Sequence, residues 1–235
     1  KGQQLSFMHQ AYVVDSAVEH AAYGLQAMNN LGLALSLDYL NFGTINKYTR
    51  DASNQLVANG SFNPSALHLD LGAGYALKAF SLGVNAKYVS QSFDGTGGST
   101  VGADVGALWR QGETGLSLGA ALQNLGGTLD GSNLPLATVA GAAYRIGLAG
   151  GVVAIAADAD IPAADSAASV LSAGVEYAAA ELYALRAGYK AAGNGGAGGF
   201  SVGAGLRYSV AQLDYAFSAV GDLGNAQQVS ALIKF

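Results

Sequence analysis

The sequence predicts an all-β chain, an antiparallel transmembrane β-barrel of about fourteen strands filling residues 1–235 as a single domain. Three observations predict it. Apolar side chains alternate with small or polar ones over segments of about ten residues, the period of a strand and the length a tilted strand needs to cross a bilayer. The face opposite the apolar one is mostly Gly, Ala and Ser, where a soluble sandwich would carry many Lys and Glu. The connections alternate between short and long, as in barrels with short periplasmic turns and longer outer loops.

The elements follow in order. Two N-terminal segments, about 3–14 and 17–28, alternate and are joined by a turn. A third starts near Leu31 and ends before the longest connection, Gly43 to Pro64. From Leu67 the apolar set is Leu67, Leu69, Leu71, Ala73, Tyr75 and Leu77, against His68, Asp70, Gly72, Gly74 and Ala76. From Phe80 it is Phe80, Leu82, Val84, Ala86 and Tyr88, against Ser81, Gly83, Asn85 and Lys87. Similar segments start near Val101, Leu116, Ala140, Val153, Leu171, Tyr183, Phe200 and Gln212. The last ends the chain, with Val229, Ala231, Ile233 and Phe235 facing one way. An even strand number puts both termini on one side, expected to be the periplasm, and closure follows because an open edge would leave unpaired backbone groups in lipid.

Composition excludes other classes. Hydrophobic residues at 51% and charged residues at 11% rule out a disordered chain. Gly at 34 of 235 residues argues against a helical bundle, since each helix-interior Gly costs about 1 kcal/mol. No run of about 18 apolar residues offers a membrane helix. The net charge of −5, with 11 scattered basic residues, argues against nucleic acid as a partner. There is no Cys, hence no disulfide or thiolate site.

Each remaining group of residues has an expected place. Tyr39, Tyr88, Trp109, Tyr144, Tyr177, Tyr189 and Tyr208 sit near segment ends, as an interfacial aromatic girdle requires. The inward face carries Asp38, Asp70, Lys87, Asp104, Arg145, Asp158, Glu176, Arg186, Arg207 and Asp214. With both signs interspersed, these read as lumen salt bridges rather than an ion-selective ring. The long connection carries Ile45, Tyr48, Leu56, Val57 and Phe62, a candidate partner-docking or lid surface, with a disordered loop as the alternative. His9, His20 and His68 share no ligand spacing and read as wall or loop residues. Asp158 and Asp160, which share a face, and Asp165 read as hydrated carboxylates at a rim, with weak Ca²⁺ binding as the alternative, and the glycine-rich run Gly193–Gly199 as an outer loop. No catalytic constellation, phosphate loop or Gly-x-Ser-x-Gly elbow is present, so a non-enzyme without cofactor or metal is expected.

The stretches SFMHQAYVVDSAVEHAAYG, LGVNAKYVSQ, GLSLGAALQNLGGTL, LPLATVAGAAYRI, AGVEYAAAELYALRAGYK and SVGAGLRYSVAQLDYAFSAVGDLGN, in this order, resemble the PorV/PorQ-like outer-membrane proteins, relatives of the FadL-type fourteen-stranded barrels. The terminal strand ending in Phe235 resembles the signal read by the barrel assembly machinery. The resemblance implies the outer membrane of a Gram-negative type envelope, with outer-membrane lipid, that machinery and other envelope or secreted proteins as partners. It implies a non-enzymatic cargo shuttle or scaffold in type IX-like secretion or surface assembly. The alternative is FadL-like transport of hydrophobic small molecules, which a small and polar inner face disfavours. Members of the family open with a hatch segment; here Lys1 lies just ahead of the first strand, so the expectation is a barrel without one.

Overall fold

A computed structural model describes residues 2–148, 150–164, 167–179, 182–193, 198–221 and 224–235. Asp165, residues 194–197 of the glycine-rich run and residues 222–223 of the GDLGN stretch lie outside the described residues.

Every regular element described is a strand: β1 Gln3–Ala11, β2 Ala17–Met28, β3 Leu31–Asn41, β4 Ile45–Arg50, β5 Leu56–Phe62, β6 Ser65–Leu77, β7 Phe80–Phe93, β8 Thr96–Arg110, β9 Gly115–Leu125, β10 Thr128–Leu129, β11 Ser132–Asn133, β12 Ala137–Leu148, β13 Gly151–Pro162, β14 Val170–Ala179, β15 Tyr183–Ala192, β16 Gly199–Tyr208, β17 Ala211–Ala219 and β18 Asn225–Lys234. Fourteen of them close into one antiparallel barrel, in the order β1-β18-β17-β16-β15-β14-β13-β12-β9-β8-β7-β6-β3-β2. Two short hairpins, β4-β5 and β10-β11, form separate sheets that are not part of the ring.

Closure is made by the chain ends. β18 pairs with β1 from Gln4 opposite Lys234 to Ala11 opposite Gln227. Beyond it, Gln3 N–H donates to Phe235 O at 2.8 Å and Phe235 N–H to Gln3 O at 2.9 Å. Both termini therefore lie at one rim, together with short turns; the other rim carries the longer connections and, where a longer loop was expected near residues 94–99, a tight β7-β8 turn at Asp94 and Gly95.

Cross-strand partners share a face, so the register sorts the side chains. Leu69, Tyr88 and Val101 fall on one side of the wall, and Asp70, Lys87 and Gly102 on the other. The apolar side is the outside of the ring, where Leu71, Val84, Val101, Ile155, Leu171, Phe200 and Leu206 are exposed. In water this much exposed apolar surface would drive aggregation; against lipid tails it is the required solvent face. The molecule accordingly has almost no conventional core: among the described residues the buried apolar side chains are only Pro64, Ala137, Ala179 and Ala226.

The girdle residues all fall on the outward side of the register and separate into two levels. Trp109, Tyr144, Tyr177 and Tyr208 lie toward the rim that carries the termini, and Tyr39, Tyr88 and Tyr189 toward the other. Tyr189 meets Phe200 at 4.7 Å between ring centroids, and Tyr177 meets Tyr183 at 6.4 Å. Val229, Ala231 and Ile233 also point outward, opposite His9, Phe7 and Leu5.

The long connection departs from the expected loop. It is a β-hairpin, β4-β5, that prolongs β3 and β6 past the rim, with Ile45 opposite Phe62 and Arg50 opposite Leu56. Its base is fastened to the β7-β8 turn: Phe62 packs edge-on against Phe93 at 4.8 Å, and Lys47 pairs with Asp94 while sitting 5.3 Å from the Phe62 ring centre.

Candidate functional site

The ten charges assigned to the inner face all fall on the lumen side of the register. They are not spread evenly. Two clusters hold most of them, centred on β6 and β15, which lie seven places apart in either direction round the fourteen-strand ring.

The β6 wall is built by alternation on four neighbouring strands. His68 and Asp70 are two apart on β6, and Asn85 and Lys87 two apart on β7, so each pair shares the inner face. Asp38 on β3 lies opposite both His20 and His68, and Asp104 on β8 lies opposite Asn85. His20 Nδ1 stands 2.6 Å from Asp38 Oδ1. The Asn85 amide donates to Asp70 Oδ1 and, at 3.2 Å, to Asp104 Oδ2. Lys87 donates to Asp104 Oδ1 at 2.8 Å and to Asn124 Oδ1 at 2.9 Å. At 8% exposure it is the one buried charged side chain among the described residues.

The reading of the histidines as unrelated needs correction. His20 and His68 are 48 positions apart in sequence but flank the same carboxylate, because β3 pairs with β6 and the hairpin between them is excluded from the ring. His9 is different: it faces outward near the rim and pairs with Glu19 at 2.6 Å.

A second feature of this wall was invisible as a motif. The β9-β12 connection, expected as an ordinary outer loop, folds inward over β8. Asp130 accepts from inward-facing Gln91 at 2.7 Å, and Asn124 donates to Pro135 O at 2.8 Å. Inner-face glycines on β8 make room for it. A Cβ at Gly102 would lie 2.8 Å from Leu134 Cδ1, and one at Gly98 would collide with the Asp130 carboxylate. The connection also turns at Gly126 and Gly127, both at φ +77°, a conformation open to Gly at little cost.

The β15 wall is smaller and lies closer to the rim with the termini. Glu176, Arg186 and Asp214 each sit three residues inside Ala179, Tyr183 and Ala211, where their strands end at that rim. Arg186 donates through Nε to Glu176 Oε2 and through Nη1 to Asp214 Oδ1, both at 2.6 Å. The second contact passes over β16, where Gly203 and Gly205 face inward; a Cβ at Gly205 would lie 3.2 Å from Arg186 Nη1. Gln212 donates to the other Asp214 oxygen at 2.7 Å and accepts from Arg207 at 3.1 Å. Every charge here has a partner.

Between the two clusters, across β7 to β13, Gly83, Gly106, Leu108, Gly119, Ala121, Val139 and Ala143 line an open recess of about 560 Å³ in the lumen wall. The small residues expected of the inner face dominate this sector, joined by Leu108 and Val139 and by the polar Ser81, Ser117 and Asp158. Asp158 borders this sector opposite Gly141, and Arg145 borders a neighbouring recess of about 600 Å³ that reaches Arg186. Asp160 also faces inward, with one buried oxygen lacking a hydrogen-bond partner. The outer-hairpin residues Ile45, Tyr48, Leu56 and Val57 are exposed above the rim, whereas Phe62 is held at its base.

No protein-family model matches the chain, and no curated protein sequence does. Solved structures do share its fold. The toluene transporter TodX of Pseudomonas putida superposes with a TM-score of 0.70 at 12% identity, covering 99% of this chain and 88% of that one. The toluene transporter TbuX of Ralstonia pickettii gives 0.61 at 13% identity over the same shares. A mutant of the Rhodopseudomonas blastica porin gives 0.52 at 13%, covering 100% of this chain and 99% of that one. At such identities the likeness is one of fold: a closed membrane-spanning β-barrel, the architecture of transporters and porins.

Proposed function

We propose that the protein is a FadL-like outer-membrane barrel that admits small hydrophobic molecules. The observation that carries this reading is the largely apolar recess on β7 to β13, in a fourteen-strand barrel that superposes on toluene transporters. Apolar solutes favour a surface poor in charge, and gathering eight of the ten assigned lumen charges on two walls leaves this sector with Asp158 as the one charged residue of its lining. In this reading the rim with the termini and short turns faces the periplasm of a Gram-negative type envelope. The β4-β5 hairpin stands at the cell surface. The outer-membrane lipid and the barrel assembly machinery, reading the terminal strand through Phe235, are its obligatory partners.

The test is uptake of a monoaromatic hydrocarbon by Gram-negative cells whose intact outer leaflet blocks direct partitioning. Expressing the barrel should raise the uptake rate severalfold. Unchanged uptake, with folded barrel demonstrated in the outer membrane, overturns the proposal. The secretion role implied by the sequence resemblance draws support from one feature, the exposed apolar side chains of the β4-β5 hairpin. It requires that deleting 43–64 abolish co-purification of a secreted protein.

A further inference from the structure

We propose that Asp38, His68 and Asp70 form a divalent-metal site on the lumen wall, with zinc the ion their chemistry fits best. The inference is independent of which solute crosses the barrel.

His68 stands between two carboxylates. Its Nδ1 faces Asp38 Oδ2 at 3.8 Å and its Nε2 faces Asp70 Oδ2 at 3.3 Å. In its neutral form an imidazole has one N–H and one lone pair, so in that form either tautomer directs a lone pair at one of the two carboxylates. Neither contact is a hydrogen bond, and Nε2 is buried with no hydrogen-bond partner. A cation placed between nitrogen and carboxylate removes that conflict.

The neighbouring groups are arranged for it. In both carboxylates Oδ1 is already engaged, by His20 in Asp38 and by Asn85 in Asp70, while Oδ2 is turned to His68. Outer hydrogen bonds of this kind orient ligating groups. One donor atom from each of Asp38, His68 and Asp70 lies within 4.8 Å of the others, the one such group among the described residues. Tetrahedral zinc, with bonds of about 2.0–2.1 Å to N and O, sets neighbouring ligand atoms about 3.3 Å apart. The His68 Nε2 to Asp70 Oδ2 separation of 3.3 Å already matches this, and the Asp38 donor atom lies within 4.8 Å of both.

Charge favours the same answer. The β6 wall carries Asp38, Asp70 and Asp104 against Lys87 alone, a formal −2 with neutral histidines. Lys87 is committed to Asp104 and Asn124. A divalent cation brings the wall to neutrality. The mixed nitrogen and oxygen donors favour zinc or a similar first-row ion over calcium or magnesium. All three side chains are partly open to the lumen, leaving a fourth position for water or a solute group.

The test uses tag-free full-length barrel in detergent, stripped with EDTA and titrated with zinc chloride by calorimetry. The expected result is one zinc per chain, with affinity lowered more than about tenfold in His68→Gln and by about 10–100-fold in His20→Gln, while His9→Gln binds as wild type. Heat-shifted gel mobility verifies that each variant is folded. X-ray absorption on zinc-loaded wild type, which needs no variant, should show a shell of one imidazole nitrogen with oxygens. The proposal is overturned if wild type binds no stoichiometric zinc, if His68→Gln binds undiminished, or if the shell contains no imidazole.

Discussion

The two charged walls of the lumen use similar residues to different ends. On the β15 wall one arginine spans two carboxylates, and every group is engaged. On the β6 wall one lysine serves Asp104, while Asp38 and Asp70 both face the His68 imidazole without a hydrogen bond to it. A guanidinium presents a planar fork that satisfies two acceptors at once, whereas an ammonium is a point charge and a neutral imidazole has a single N–H. The β15 wall is therefore a clamp that ties β14 to β17 across β16. The β6 wall pairs a clamp, at Lys87, with an unsatisfied pocket at His68.

Mutation should separate these roles. The largest effect is expected from Lys87→Met. It strips a buried cation from Asp104 and Asn124, and the loss should approach the ~3 kcal/mol typical of breaking a buried pair, read as a lower midpoint for urea unfolding of the barrel in lipid. Arg186→Met should cost less, about 1–2 kcal/mol, because Glu176 and Arg186 are more than a third exposed and lumen water screens the carboxylates left behind. If Arg186→Met proves the more damaging, the contrast between the walls is drawn the wrong way round. His68→Gln should change the metal-free unfolding free energy by no more than about 0.5 kcal/mol, since it forfeits no hydrogen bond.

Two further substitutions address the lumen itself. Ala143→Trp, at the junction of the two recesses, should lower hydrocarbon uptake by roughly tenfold without loss of folded barrel, by filling the apolar sector. Gly102→Val should push Leu134 off the β8 wall, read as faster protease cleavage between 126 and 136. An unaltered cleavage rate would mean that the inward connection does not depend on that glycine.

Most of the barrel was legible because lipid and lumen impose opposite demands on neighbouring residues. Leu69 against Asp70, or Tyr88 against Lys87, announces both strand and side. The β4-β5 hairpin was not legible, because exposure on both faces removes the alternation: Asn46, Lys47, Tyr48 and Thr49 carry no sided pattern. The inward connection escaped notice for another reason. Its signature lies in a different strand, as missing side chains at Gly98 and Gly102. The ten lumen charges could be assigned from period two alone, but their gathering on two walls depends on strand order, as does the meeting of His20 with His68 around Asp38.

The proposition beneath all of this is that apolar side chains face lipid while the small and charged ones line an enclosed lumen. The chain's single tryptophan, Trp109, tests it without mutation. It lies opposite Phe80 on the outward side, near the rim that holds the termini. In liposomes its fluorescence should be quenched strongly by lipids brominated or spin-labelled near the headgroup, less by those labelled deep in the chain, and weakly by aqueous iodide. Strong iodide quenching with no response to the lipid-borne quenchers would place Trp109 in water, and the assignment of inside and outside would be reversed.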